Sequence, residues 1–99
     1  MVITLSKNRV PIRLNDERWA HITDEHGELA ELKALVLDVV ANPTRVLAGG
    51  TDELLAVQEV ETGKWLVVVY KEQGNDGFII TAFITRRIRS LNRRRQLWP

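Results

Sequence analysis

Two histidines, His21 and His26, are the only imidazoles of this 99-residue chain, and only four residues separate them. Histidine has an ordinary pKa close to neutrality, so it is the side chain best suited to proton transfer at physiological pH. Thr81, Thr85 and Arg86 lie near the other end, where an apolar segment finishes. Imidazoles, hydroxyls and a guanidinium are the groups from which metal-independent phosphodiester cleavage can be built.

Metal-independent cleavage of RNA needs no cofactor, because the 2′-hydroxyl of the substrate attacks its own neighbouring phosphorus. The enzyme takes one proton, supplies another and stabilises charge on the phosphoryl oxygens. A general acid and a general base typically contribute about 10²- to 10⁴-fold each, and one well-placed donor contributes about 3 kcal/mol. Arg86 or Arg45 is a candidate for the cation. The candidates for the hydroxyl are Thr81, Thr85 and Tyr70.

The spacing of the two histidines limits how they can act together. On a continuous helix, side chains five positions apart point about 140° away from each other. His21 and His26 then share one pocket only if the helix bends near Gly27 or ends early. We therefore expect one working histidine, His26 in preference to His21, with the other as a surface or packing residue.

Other catalytic chemistries lack their residues. The chain has no cysteine, and its only serines, Ser6 and Ser90, lie outside any Gly-x-Ser-x-Gly motif. The histidines do not have the His-Glu-x-x-His spacing, although Asp24, Glu25 and Glu28 surround them. We expect no metal site.

The net charge of +1 hides an uneven distribution. Residues 1–76 contain all 13 acidic residues and 8 basic ones, whereas residues 77–99 contain six arginines and no acidic residue. The planar guanidinium matches phosphate oxygens. This basic C-terminal segment, about 86–99, either contacts nucleic acid or an acidic partner, or is a solvated tail. The candidate RNA-binding residues are Arg45, Arg87, Arg89, Arg93, Arg94 and Arg95.

Apolar spacing and turn residues predict helices followed by strands. Residues 2–5 and 10–14 are short strands or extended arms; helices are expected over about 16–25 and 28–41, and strands over 44–48, 54–60, 64–72 and 77–85. The last strands form an antiparallel meander, with 65–70 and 78–84 adjacent in its middle. The expected fold is α+β, with two N-terminal helices packed on a four-stranded antiparallel sheet.

Length and composition fit one domain over residues 1–99. No segment has the pattern of a signal peptide or the length of a membrane span. We therefore expect a cytoplasmic protein with no membrane partner.

Two segments resemble a known group of nucleases. Residues 12–22, followed by His26 and an amphipathic helix that ends at Asn42-Pro43, look like the start of the phage-associated barnase, EndoU, colicin and RelE-like nucleases. The strand Phe78-Ile-Ile-Thr-Ala-Phe-Ile-Thr85 is similar to their closing strand. The resemblance implies a RelE- or barnase-like domain, RNA as substrate and frequent use as a toxin. It also implies that His21 or His26 is the acid or base, with Thr81 or Thr85 and Arg86 near the phosphate.

Two functions follow as hypotheses. The first is a small metal-independent endoribonuclease, as the toxin of a toxin–antitoxin pair, with a cognate antitoxin or inhibitor protein as a partner. The second is a non-catalytic module of the same fold that binds RNA or protein through its arginines. The low net charge favours the second, because dedicated RNA-cleaving toxins are often more basic.

Overall fold

Seven strands form one mixed sheet, and helices pack on both of its faces. The computed structural model describes all 99 residues. The elements are β1 (Val2–Leu5), β2 (Pro11–Leu14), α1 (Asp16–Glu25), α2 (Lys33–Ala41), β3 (Arg45–Ala48), β4 (Leu54–Glu61), β5 (Lys64–Gln73), β6 (Asp76–Thr85), α3 (Ile88–Asn92) and β7 (Gln96–Trp98), with a 3-10 turn at Gly27–Leu29. The strand order is β1-β2-β6-β5-β4-β3-β7. None of the helices is long and apolar enough to cross a membrane.

The expected fold, two N-terminal helices on a four-stranded antiparallel sheet, is wrong. The meander β3–β6 exists and its strands pair in antiparallel fashion, but the sheet continues on both sides of it. The β1–β2 hairpin joins through a parallel pairing of Ile12 with Gly77 and of Arg13 with Phe78. At the other side, β7 pairs with β3, and α3 forms a third helix near the C-terminus. Local patterns do not report a pairing between segments so distant in the chain.

The helix expected over about 28–41 is interrupted. Gly27–Leu29 forms a 3-10 turn, and α2 begins only at Lys33. The Leu32 amide donates to the Leu29 carbonyl at 2.8 Å, so the chain keeps a helix-like rotation between the two segments. The apolar spacing therefore continues through the break and conceals it. Four apolar residues of this region are buried, namely Leu29, Val36, Val39 and Val40, and Leu32 is partly buried against the same cluster.

The core consists of two clusters, one on each face of the sheet. The helix face, which α1 and α2 cover, contains Ile12, Leu14, Ile22, Leu29, Val36, Val39, Val40, Ala56, Leu66, Val68, Tyr70, Ile79 and Ala82. The α3 face contains Leu47, Leu55, Val57, Val67 and Leu91. Burial on both faces explains why the apolar run in β5 is continuous rather than alternating. The predicted adjacency of 65–70 and 78–84 is confirmed.

The β1–β2 turn reaches strands that are not its neighbours in the sheet. The Ser6 hydroxyl donates to the Glu72 carboxylate of β5, and Asn8 Nδ2 donates to the same carboxylate at 2.9 Å. The Lys7 ammonium lies 4.7 Å from the ring centroid of Trp98 in β7. Because β1 and β7 are the two outer strands, this cation–π contact shows that the sheet curls until its ends approach each other.

Gly77 is the position where β2 joins β6, and we predict that it tolerates no side chain. A Cβ there would overlap the Lys71 carbonyl and lie 2.6 Å from Ile12 Cδ1. We expect Gly77→Ala to lower the free energy of unfolding by about 2 kcal/mol, a typical cost of overpacking. Gly27→Ala is the control, because its Cβ would meet nothing within 4 Å. Urea denaturation measures both, and equal stabilities would contradict the packing at this junction.

Candidate functional site

α1 ends immediately before His26. The Asn15 side chain begins the helix by accepting the Arg18 amide at 2.7 Å, a common role of asparagine at the start of a helix. The His26 amide still donates to the Ile22 carbonyl at 2.8 Å, but its φ of −129° and ψ of 72° are not helical. The bounds expected for this helix, 16–25, are confirmed. The direction of His26 is therefore set by the turn and not by the helical rotation.

The turn places His26 beside β6. Its imidazole ring lies with its centroid 6.3 Å from the Phe83 ring centroid, at an interplanar angle of 39°. His26 Nδ1 is 3.9 Å from a carboxylate oxygen of Glu28, and 32% of the His26 side chain is exposed. The carboxylate thus lies on the Nδ1 side, which leaves Nε2 as the nitrogen for a substrate.

A β-bulge in β6 decides which face its threonines occupy. Tyr70 pairs with Ile79, but Val69 pairs with Thr81, so Ile80 has no partner on β5. Ile79 and Ala82, three residues apart, consequently both face the helix-face cluster. The alternate positions Thr81, Phe83 and Thr85 then lie on the α3 face. The bulge therefore places both threonines on the same side of the sheet as the ring that His26 contacts.

The hydroxyl group of Thr85, at the end of β6, is held in position by a hydrogen bond. Thr85 Oγ1 accepts the Arg87 amide at 3.0 Å, which fixes the oxygen and leaves the hydroxyl proton free to donate. Arg86 lies between these two residues in the turn to α3, and its side chain is exposed. Thr85 and Arg86 thus provide a hydrogen-bond donor and a positive charge at one end of the α3 face.

His21 has different surroundings from His26. Its Nε2 lies 3.4 Å from a Glu25 carboxylate oxygen one helical turn away, and 65% of its side chain is exposed. It lines an open polar depression with Asn15, Glu17 and Arg18. No group of three His, Asp or Glu side chains is positioned to hold a metal ion. Of the two histidines, only His26 contacts the strand that carries the threonines.

The arginine-rich segment belongs to the fold and is not a free extension. α3 packs on the sheet through Leu91, which is buried, and Ile88, which is half-buried. Beyond α3, Arg94 Nη1 donates to the Ala48 carbonyl at 3.3 Å, and the Ala48 amide donates to the Arg95 carbonyl at 2.8 Å. The segment expected as a tail at 86–99 therefore contains α3 and β7 and is attached to both the face and the edge of the sheet.

The six arginines of this segment form an exposed basic surface, which we call the arginine surface. Its members are Arg86, Arg87, Arg89, Arg93, Arg94 and Arg95. None of them lies within 4.0 Å of a carboxylate oxygen, because the ion pairs of the protein all involve other cations. Their charge is therefore not neutralised within the protein and is available to a polyanion.

Arg45 and Tyr70 do not join this site. Arg45 on β3 aligns with Val57, Val67 and Phe83 across four neighbouring strands. Three strand spacings separate its backbone from Phe83 by about 14 Å, so Arg45 lies apart from the residues around His26. Tyr70 is buried in the helix-face cluster, and burial raises its pKa far above the ordinary value of 10.0. Its hydroxyl is not available to a substrate.

Trp65 and Glu28 border the site, although the sequence indicates Trp65 only as part of an apolar strand and Glu28 only as a carboxylate near the histidines. Trp65 lies directly opposite Thr85, and Glu28 faces His26. In a regular hairpin around the Gly74-Asn75 turn, the residue opposite Trp65 would be Ile84 and not Thr85. The sequence does not indicate the pairing of Trp65 with Thr85, because no turn residue or glycine marks the position of the extra residue in β6.

Comparisons with known proteins identify no relative. No protein-family model matches the chain, and no curated protein and no solved structure is detectably similar to it. The resemblance to barnase-, EndoU-, colicin- and RelE-like nucleases stays a prediction from the two segments that carry it. The geometry on the α3 face is therefore the basis for assigning a function.

The contact between His26 and Phe83 predicts a spectroscopic effect. An aromatic ring at this distance shifts the proton resonances of its neighbour, so Phe83→Leu should move the imidazole proton signals of His26 and leave those of His21 in place. The chain has only these two histidines, and His21→Gln assigns the signals. Proton NMR makes the measurement, and unchanged signals for both histidines would contradict the placement of His26.

Proposed function

We propose that this protein is a metal-independent endoribonuclease in which His26 transfers a proton, and Thr81 or Thr85, together with Arg86, contacts the scissile phosphate. One observation supports the proposal above the others. The bulge at Ile80 turns both threonines toward the face where the His26 imidazole contacts Phe83. The imidazole thus contacts the strand that carries the two hydroxyl donors, and Arg86 directly follows that strand in the chain.

The proposed reaction uses these groups in one step. His26 Nε2 takes the proton from the 2′-hydroxyl, whose oxygen attacks the adjacent phosphorus. The bond from phosphorus to the 5′-oxygen breaks, and that oxygen takes a proton from water. The products are a 2′,3′-cyclic phosphate and a 5′-hydroxyl. Thr85 and Arg86 stabilise the charge that develops on the phosphoryl oxygens.

The arginine surface binds the rest of the RNA in this proposal. Its guanidiniums have no carboxylate partners, and exposed arginines that neutralise phosphates release counterions from the nucleic acid. Arg45 contacts a phosphate farther along the strand. A cytoplasmic location and an antitoxin or inhibitor protein that covers this surface belong to the same proposal.

A non-catalytic RNA-binding module is the second candidate. The observation that favours it is the number of imidazoles: only His26 lies at β6, whereas His21 pairs with Glu25 on α1. An enzyme with one imidazole at its site lacks a separate general acid. The arginine surface would bind RNA equally well without cleavage.

Glutamine at each histidine separates the two candidates. His26→Gln keeps a polar side chain of similar size but cannot transfer the proton, so we expect RNA cleavage to fall by about 10²- to 10⁴-fold. His21→Gln should cleave at the wild-type rate. The assay follows RNA in excess chelator and detects 2′,3′-cyclic phosphate ends, and thermal denaturation checks that both variants fold. Wild-type cleavage by His26→Gln would exclude His26 as the proton-transfer group, and an absence of cleavage by the wild-type protein would leave the binding module as the function.

Neutralising part of the arginine surface tests whether it binds phosphates. We expect Arg93→Gln/Arg94→Gln/Arg95→Gln to weaken RNA binding for all sequences alike. For single strands, the slope of log affinity against log salt should become shallower by about 0.7 for each phosphate that the variant no longer neutralises. The matched control, Arg13→Gln/Lys33→Gln/Lys64→Gln, removes three cations that already face carboxylates. An equal change of slope in both variants would show that net charge alone binds the RNA.

A further inference from the structure

The indole of Trp65 lies beside the phosphate site. Trp65 pairs with Thr85 across β5 and β6, and side chains directly opposite each other in antiparallel strands have Cβ atoms about 5 Å apart. Trp65 packs against the α3-face cluster and is half-buried. Its indole N–H has no hydrogen-bond partner and is not among the buried polar atoms. The indole ring therefore packs against the α3-face cluster, and its N–H edge is exposed to solvent.

We infer that Trp65 stacks on a base of single-stranded RNA next to the scissile phosphate. This inference rests on the proposed function and names its substrate class. A phosphate held by Thr85 and Arg86 brings the attached nucleotide over the neighbouring strand, where Trp65 is the aromatic side chain. Every base has a π-face that can stack on an aromatic ring, so the contact does not require one sequence.

A duplex does not fit the same surface. The helix α3 lies on this face, because its residues Ile88 and Leu91 pack on the same cluster as Trp65. α3 therefore occupies space beside the indole that a duplex would need. The threonine side chains are short, and a phosphate must approach the sheet closely to reach them. In a duplex the bases are stacked on each other and offer no free face to an indole. In a single strand, one nucleotide can approach the sheet closely enough for its phosphate to reach a threonine while its base stacks on Trp65.

Binding to a protein that does not cleave tests the inference. In the His26→Gln background, Trp65→Leu should bind a short single-stranded oligoribonucleotide about tenfold more weakly, the loss that one stacked base produces. Its affinity for the same strand annealed to its complement should not change. Phe78→Leu is the matched control, because Phe78 is a half-buried aromatic residue of β6 beside Gly77, near the opposite end of the strand from Thr85. Fluorescence anisotropy measures all affinities.

The outcomes separate this inference from the proposed function. Trp65→Phe keeps an aromatic ring and should recover part of the single-strand affinity, which a merely structural role for Trp65 would not produce if both variants fold alike. Wild-type affinity of Trp65→Leu for single strands would overturn the stacking, while cleavage by the wild-type protein would still support the nuclease. Equal weakening for single strand and duplex would also overturn it. If the His26→Gln protein that retains Trp65 binds neither the single strand nor the duplex, the proposed function fails together with the inference.

Discussion

The bulge at Ile80 is the constraint on which the candidate site depends. Ile79 and Ala82 are both buried in the helix-face cluster, and this is possible only because one extra residue lies between their alternating positions. Without it, Thr81 and Thr85 would point at α1 and α2, where their hydroxyls would need partners inside an apolar core. The bulge interrupts the regular pairing of β5 with β6, and burial of apolar side chains on both faces of these strands offsets that cost.

The second determinant is the packing of α3. A five-residue helix is not stable by itself, so the burial of Leu91 and the pairing of β7 with β3 hold it on the sheet. The backbone of the arginines in α3 and before β7 is therefore already ordered before any ligand binds. A polyanion then meets cations whose backbone is already fixed, and binding costs less conformational entropy than it would with a free tail.

Local spacing in the sequence encodes some parts of this fold and not others. α1 follows from its Asn15 cap and acidic first turn, and the meander β3–β6 follows from apolar runs separated by turn residues. α3 carries a weak signal, the apolar pair Ile88 and Leu91 among arginines, which the charge obscures. β7 is three residues long, too short for alternation to appear. The parallel pairing of Ile12 with Gly77 depends on distant segments, and no local pattern contains it.

The same limit applies to the site, because its residue types are identifiable from the sequence but their relative positions are not. The helical rotation calculated for His21 and His26 assumes a continuous helix, whereas α1 ends at Glu25. With one imidazole at β6, a cleavage reaction gains the contribution of one proton-transfer group, and its other acceleration must come from charge stabilisation. In the proposed reaction, Thr85, fixed by the Arg87 amide, and Arg86 supply that stabilisation, because preorganised donors require no reorganisation when charge develops.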